Sequence, residues 1–176
     1  MVIVMTLLAT ITAIAVPALK DYSDAVALGQ AQRLIAGELQ QARMKAVTTN
    51  RIIRVRFNCP AARQFRMLEL IGTPTVPATQ DTASNLCSDT AYPYPAPDNN
   101  QLTLPNQDGP IRRIDPRVDF GATQTIEFRA TGTAYSVNPD GTSGTTLPAN
   151  GVAITVTKGN AVKTVTVNAL GKISTQ

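Results

Sequence analysis

MVIVMTLLATITAIAVPALKDY, residues 1–22, opens the chain, and its first nineteen residues carry no charge. As a helix rising ~1.5 Å per residue they reach ~28 Å, close to the ~30 Å hydrocarbon core of a bilayer. Thr6, Thr10 and Thr12 are tolerable there, because a hydroxyl can bond a carbonyl of the preceding turn. Pro17 removes one helix bond and predicts a kink. The charged and aromatic Lys20-Asp21-Tyr22 follows at once, as at the end of a span meeting an interface. Two other readings compete. A cleaved secretory signal wants a basic stretch first and a small-residue cleavage site; Ala13, Ala15 and Ala18 offer the second without the first. A buried core helix is the other.

Helical patterning continues from residue 21 to about residue 49. Leu28, Ile35, Leu39, Ala42 and Ala46 fall on one face, and Arg33, Gln40, Arg43 and Lys45 mostly off it. Gly29 and Gly37 each lower helix propensity by about 1 kcal/mol relative to Ala. Asn50 suits the C-terminal cap. The expectation is one helix over residues 2–49, roughly 70 Å long at ~1.5 Å per residue. Residues 1–20 form its transmembrane part and 21–50 its amphipathic part, with Leu28, Ile35, Leu39 and Ala42 holding a following domain.

That domain, residues 51–176, reads as β-rich. In Arg51–Phe57, Ile53, Val55 and Phe57 alternate with Arg54 and Arg56, as in a half-buried strand. Gln64–Ile71 is a second strand, reached through a turn at Cys59-Pro60-Ala61-Ala62. Residues 73–110 hold seven of the 12 prolines and many small polar residues, and predict a long irregular excursion. Gln124–Arg129, Thr133–Val137, Val152–Thr157 and Val162–Val167 read as strands, the last two joined at Lys158-Gly159-Asn160. The fold class is therefore α+β: a long N-terminal helix packed on an antiparallel β domain.

Composition excludes some chemistry. Histidine is absent, so there is no Ser-His-Asp triad, no Cys-His pair and no histidine-ligated metal. Two cysteines cannot build a four-thiolate zinc site, and with Trp 0 a stacking platform for nucleic acid is not expected. There is no P-loop and no dinucleotide fingerprint. The net charge is +4, but residues 33–66 alone carry eight basic residues against Glu38. Such a segment can meet an anionic surface, or be a solvated face near a helix C-terminus.

Residues 1–22, with Pro17 in an apolar helix and Lys20-Asp21-Tyr22 after it, resemble the start of type IV pilins and pseudopilins. LQQARMKAVTTNRIIRVRF, residues 39–57, looks like the helix-to-strand junction of the GspH/FimT group of minor pseudopilins. KTVTVNALGKIS, residues 163–174, is similar to that group's final strand. Prepilins open with a basic leader ending in Gly, and a Glu follows shortly; aligned on Pro17, that Glu falls just before Met1. A trimmed or late-assigned start is the expectation.

The resemblance implies a pilin-like structural protein without catalytic activity or cofactor. It implies a single-pass location in the inner membrane, with the β domain in the periplasm. Its partners would be other pseudopilins or pilins, met through the N-terminal helix. It would act in the tip or initiating complex of a type II secretion pseudopilus or type IV pilus. Ala9, Ala13 and Ala15 would allow close helix approach. In an oxidising periplasm Cys59 and Cys87 are expected to form a disulfide, the alternative being two free thiols.

In DNA-binding members of the FimT group a C-terminal Gly-Arg-x-Arg element contacts DNA. Here Lys172 stands at its first Arg and Ser174 at its second, which weakens a term that scales with phosphates neutralised. Arg51, Arg54 and Arg56 are the other candidate nucleic-acid contacts, although arginines on one strand face equally suit acids of a neighbouring strand. A DNA-binding minor pilin for natural transformation is therefore the alternative function. A secreted ligand-binding β domain behind a signal peptide is the second alternative. Metal is not expected: Asp98-Asn99-Asn100 and Asn138-Pro139-Asp140-Gly141 lack EF-hand spacing and suit turns. Asp115 and Asp119 are expected at turns or strand ends.

Overall fold

One helix, α1 (Val2–Thr49), runs from the start of the described chain into the β domain. The computed structural model describes residues 2–95 and 107–176, and the side chains of residues 2–18 lie outside that description. Among the described residues no helix is long and apolar enough to cross a membrane. The expected span and the Pro17 kink, with Ala9, Ala13 and Ala15, fall on residues whose side chains are not described. The helix stops where Asn50 takes φ 54°, a left-handed conformation that asparagine tolerates better than most residues.

Ten strands follow among the described residues. β1 (Ile53–Phe57) and β2 (Gln64–Glu69) form an antiparallel hairpin with Val55 opposite Met67. A short helix, α2 (Ala83–Leu86), lies in the excursion. Next come β3 (Arg112–Arg113), β4 (Asp119–Phe120), β5 (Ile126–Phe128), β6 (Ala134–Val137) and β7 (Ser143–Thr146). β8 (Val152–Lys158), β9 (Ala161–Val167) and β10 (Ile173–Thr175) close the chain's order of elements.

They make two antiparallel sheets, ordered β3-β2-β1-β5-β6-β7 and β10-β9-β8-β4. The helix packs on both, touching β1 and β5 of the first and β8, β9 and β10 of the second. Apolar residues set this arrangement. Ala27, Leu28, Ala31, Ile35, Leu39, Ala42 and Ala46 are buried along one stripe of α1. Opposite them lie Ile53, Val55, Ile126 and Phe128 of the first sheet and Ile154, Val156, Val165 and Val167 of the second. Burying a Leu, Ile or Val side chain contributes about 1.5–3 kcal/mol, so this stripe is the main attachment of helix to domain. Phe57, Phe65 and Phe120, with ring centroids 5.3–6.0 Å apart, join the two sheets below the helix.

Six predicted strands are present, trimmed or extended by a residue or two. β1 departs from the expected half-buried pattern, because the excursion covers its second face. β7 has no counterpart among the expected strands, because Ser143-Gly144-Thr145-Thr146 has no apolar alternation; it is an edge strand held by backbone pairing to β6 and by Ser136 Oγ donating to the Thr145 carbonyl.

Candidate assembly surface

The outward face of α1 carries Val26, Gln30, Arg33, Gly37, Gln40, Gln41, Met44, Val47 and Thr48, spaced as one helix face. Above the β domain, Leu19 and Tyr22 are each 69% exposed. The helix therefore leaves the domain with apolar groups that the described residues do not cover.

Polar bonds fix how α1 sits. Gln32 Nε2 donates to the carbonyls of Thr164 and Gln176, each at 2.7 Å. Arg112 Nε donates to Glu38 Oε2 at 3.1 Å, while the other oxygen, Oε1, is buried without a partner. Arg43 donates to the carbonyls of Gly132 (3.1 Å) and Leu170 (3.0 Å), clasping two loops. The second clasp depends on Gly171, whose φ is +68° and whose Cα lies against the Gly132 carbonyl, leaving no space for a Cβ. Near the upper end, Arg117 Nη1 donates to Ser23 Oγ at 2.8 Å.

Lys172 is exposed, and its backbone N–H donates to Asn168 Oδ1 at 2.9 Å. It borders a groove of about 660 Å³ along α1, shared with Arg43, Met44, Val47 and Gly132. Arg51, Arg54 and Arg56 do not line that groove. Arg51 is half-exposed and faces Glu69 at 3.5 Å.

Arg54 and Arg56 are a correction. As nucleic-acid contacts they fail, because they are 0% and 8% exposed. Arg54 donates to Asp81 Oδ2 at 2.7 Å and, through two nitrogens, to Glu127 Oε2 at 3.1 and 2.9 Å. Glu127 is its direct cross-strand neighbour on β5. Arg56 Nη2 donates to Asp81 Oδ2 and to the Asp81 carbonyl. Arg129 donates to Glu127 Oε1 at 3.1 Å and stacks over Tyr135. The physical reason is Asp81: the excursion lays this acid across β1, so the strand's cations are spent inside the molecule. Burial pushes the Asp81 carboxyl up, and the two arginines oppose that.

Arg66 was not singled out by sequence reasoning, yet it is fully buried. It donates to the carbonyls of Gly109, Leu86 and Tyr92 at 2.6–2.9 Å, so one guanidinium ties the middle of the excursion to its return. Cys59 and Cys87 are bonded, with Cα atoms 5.2 Å apart, and staple α2 to the β1–β2 turn. Asp108 accepts the Glu69 N–H at 2.8 Å. Desolvation drives its carboxyl up to about 7, against hydrogen bonding and the Arg66 charge.

The predicted packing residues Leu28, Ile35, Leu39 and Ala42 are all in the core. Asp140 accepts from Thr142 N and Oγ1, as a turn residue does. Asp115 and Asp119 accept from Arg117 and Arg63 at the surface. Asp98, Asn99 and Asn100 lie outside the described residues. Among the described residues no three acidic or thiol side chains cluster so as to hold a metal.

Residues 30–171 match the family described as "Type II transport protein GspH". The chain belongs to the GspH family. The expected likeness to GspH/FimT-type minor pseudopilins thus stands on a match running from mid-helix to the Gly171 turn. The fold is also similar to a crystal structure of the type IV minor pilin FimU of Pseudomonas aeruginosa strain PAO1. There the TM-score is 0.51 and the identity 12%, over 88% of this chain and 92% of that one. A second crystal form of FimU gives a TM-score of 0.48, again at 12% identity, over 85% and 92% of the two chains. No curated protein sequence matches the chain. The uncovered face of α1, with the exposed Leu19 and Tyr22 above the β domain, is the candidate assembly surface.

Proposed function

We infer that this chain is a structural subunit, a minor pseudopilin of a type II secretion pseudopilus or type IV pilus, acting in its tip or initiating complex. Residues 1–20 hold it in the inner membrane as a single span, with the β domain in the periplasm. On assembly that segment passes from lipid into a bundle of like helices. The observation that carries this is the division of α1. Its stripe from Ala27 to Ala46 is buried on its own domain, whereas Leu19, Tyr22 and Val26 stand exposed above it. A buried lower half fixes the domain, and an apolar upper half is left for lipid or for another helix. The absence of histidine and the engagement of both cysteines in a disulfide favour a packing role over catalysis.

The test is fractionation of cells producing the full chain, with a Tyr22→Cys variant for crosslinking to co-produced pseudopilins. Carbonate-resistant inner-membrane association and a crosslinked pseudopilin adduct are expected. A soluble product whose N-terminal sequence starts near Asp21 would instead establish a secreted domain behind a signal peptide.

A second reading, a DNA contact, is favoured by the exposure of Lys172 beside Arg43 on the α1 groove. It predicts duplex binding that weakens steeply with salt and in Lys172→Ala.

A further inference from the structure

Residues 107–110 bring the excursion back to the first sheet, between β2 and α1. Gly109 N–H donates to the Met67 carbonyl at 2.8 Å, and Glu69 N–H donates to Asp108 Oδ1 at 2.8 Å. Gln107 N–H donates to Glu69 Oε2 at 3.1 Å, and Arg66 Nε to the Gly109 carbonyl at 2.8 Å. A Cβ on Gly109 would stand 3.2 Å from Met67 Cβ on β2 and 3.6 Å from Glu38 Oε1 on α1. The segment thus lies close against both elements. It forms one wall of a groove of about 340 Å³, lined also by Glu38, Met44, Lys45 and Arg112.

Asp108 is the weak point of this docking. It is 6% exposed. Its Oδ1 has the Glu69 N–H, whereas Oδ2 is buried without a partner. An ionised carboxylate placed there has one neutral donor to replace its water shell, and a neutral carboxyl has far less to lose. The surrounding charges do not reverse this. On β2, Arg66 gives its guanidinium to three carbonyls, and Glu69 adds a second negative charge. On α1, Lys45 lies in the field of Asp108, Glu69 and Glu38 together, so one cation serves three carboxylates. Arg112 on β3 is bonded to Glu38, and Arg51, ahead of β1, faces Glu69. Desolvation accordingly outweighs the N–H bond, Arg66 and Lys45, and raises the Asp108 carboxyl from its ordinary 3.8 to about 7.

We propose that residues 107–110 are a proton-operated latch: a proton on Asp108 holds them down on β2, and its release to water lets them lift and opens the groove. Opening breaks the Asp108–Glu69 and Gly109–Met67 bonds. It leaves the neighbours in place, because Arg66 keeps the carbonyls of Leu86 and Tyr92 and Ile114 stays in the core. The groove also touches Met44 and Thr48 on the outward face of α1, so the latch alters one flank of the candidate assembly surface. It operates within one subunit and does not depend on that surface having a partner. Docking is strongest below pH 3.8, where Asp108 keeps its proton whether the latch is closed or open. It weakens about tenfold per pH unit from there to about 7, and is constant above.

Native-state hydrogen exchange tests this on the isotopically labelled full chain in phosphocholine micelles, from about pH 4 to about pH 9. Each rate is divided by that of the unstructured amide at the same pH. The Glu69 and Gly109 amides are expected to open at least about tenfold more often than that of Val165 on the central strand β9. Their protection should fall about tenfold per pH unit and level off at about 7. Asp108→Asn keeps an acceptor for the Glu69 N–H and cannot ionise, so it should flatten that slope. In the unaltered chain the Asp108 carboxyl carbon shift should titrate at about 7. The proposal is overturned if the two amides exchange as slowly as Val165, if the slope persists in Asp108→Asn, or if Asp108 titrates at its ordinary 3.8.

Discussion

Replacing Arg54 by Met tests the buried ion network directly. The substitution keeps much of the side-chain volume, so cavity formation is a small part of the effect. What it removes is the cation shared by Asp81 and Glu127, whose side chains are both 0% exposed. Removing one partner of a buried pair costs about 3–5 kcal/mol, because the remaining charge stays desolvated. Glu127 retains Arg129 and the Ser143 hydroxyl, and Asp81 retains Arg56. These residual partners place the loss at the lower end, about 3 kcal/mol. At ~2–4 °C per kcal/mol for a chain of this size, Tm falls by about 6–12 °C. Near-UV circular dichroism on the full chain in micelles reads it out. The double variant Arg54→Met/Glu127→Leu should recover part of the loss, since it removes the abandoned charge too. A loss below about 1 kcal/mol in the single variant would mean an exposed pair, and the account of a desolvated network would fail.

Three further outcomes follow from geometry already given. Gly171→Ala should destabilise by more than about 1 kcal/mol, because it meets both a left-handed φ and the Gly132 carbonyl; denaturant unfolding measures it, and a neutral result refutes the close approach. Replacing Cys59 and Cys87 by Ser removes a closed loop worth about 3–4 kcal/mol in the chain-entropy model, and limited proteolysis should then cut residues 73–95 first. Asp108, raised to about 7 against an ordinary 3.8, is protonated in the folded chain at pH values where the unfolded chain has lost the proton. Its contribution is therefore fully present below pH 3.8, declines as pH rises toward 7, and is flat above. Asp108→Asn should flatten that part of the pH–stability curve; an unchanged slope would show that Asp108 ionises freely in the fold.

How far the sequence reveals this molecule depends on where each signal resides. The helix was legible because Leu28, Ile35, Leu39, Ala42 and Ala46 repeat at helical spacing, and Asn50 marks its end. Most strands were legible from alternation. β7 was not, because an edge strand held by backbone bonds leaves no apolar pattern in Ser143–Thr146. At the site, Lys172, a candidate nucleic-acid contact by resemblance alone, lies exposed beside the α1 groove. Arg54 and Arg56 misled as DNA contacts because alternation reports only that a strand's faces differ; it cannot say whether water or another segment covers the polar one. The covering residue, Asp81, lies in the irregular excursion, 27 positions from Arg54. A clue existed: apolar Ile53 and Val55 are interleaved with arginines, the only long cations whose planar forks suit several buried acceptors at once. Arg66, with three carbonyl partners, is the same device and left the same faint trace.

The two Gln32 bonds bear on the order of biogenesis. Gln32 reaches the carbonyl of residue 176, 144 positions away, and β9 and β10 form much of the surface on which α1 rests. During synthesis from the N-terminus the helix emerges first and its resting place last. Until the final strands are made, the stripe from Ala27 to Ala46 has only half its seat, and contacts this distant in sequence form slowly. The nascent chain thus exposes an apolar helix for most of its translation. A holding factor that grips this stripe while the strands assemble would be released, residue by residue, as the second sheet closes over it.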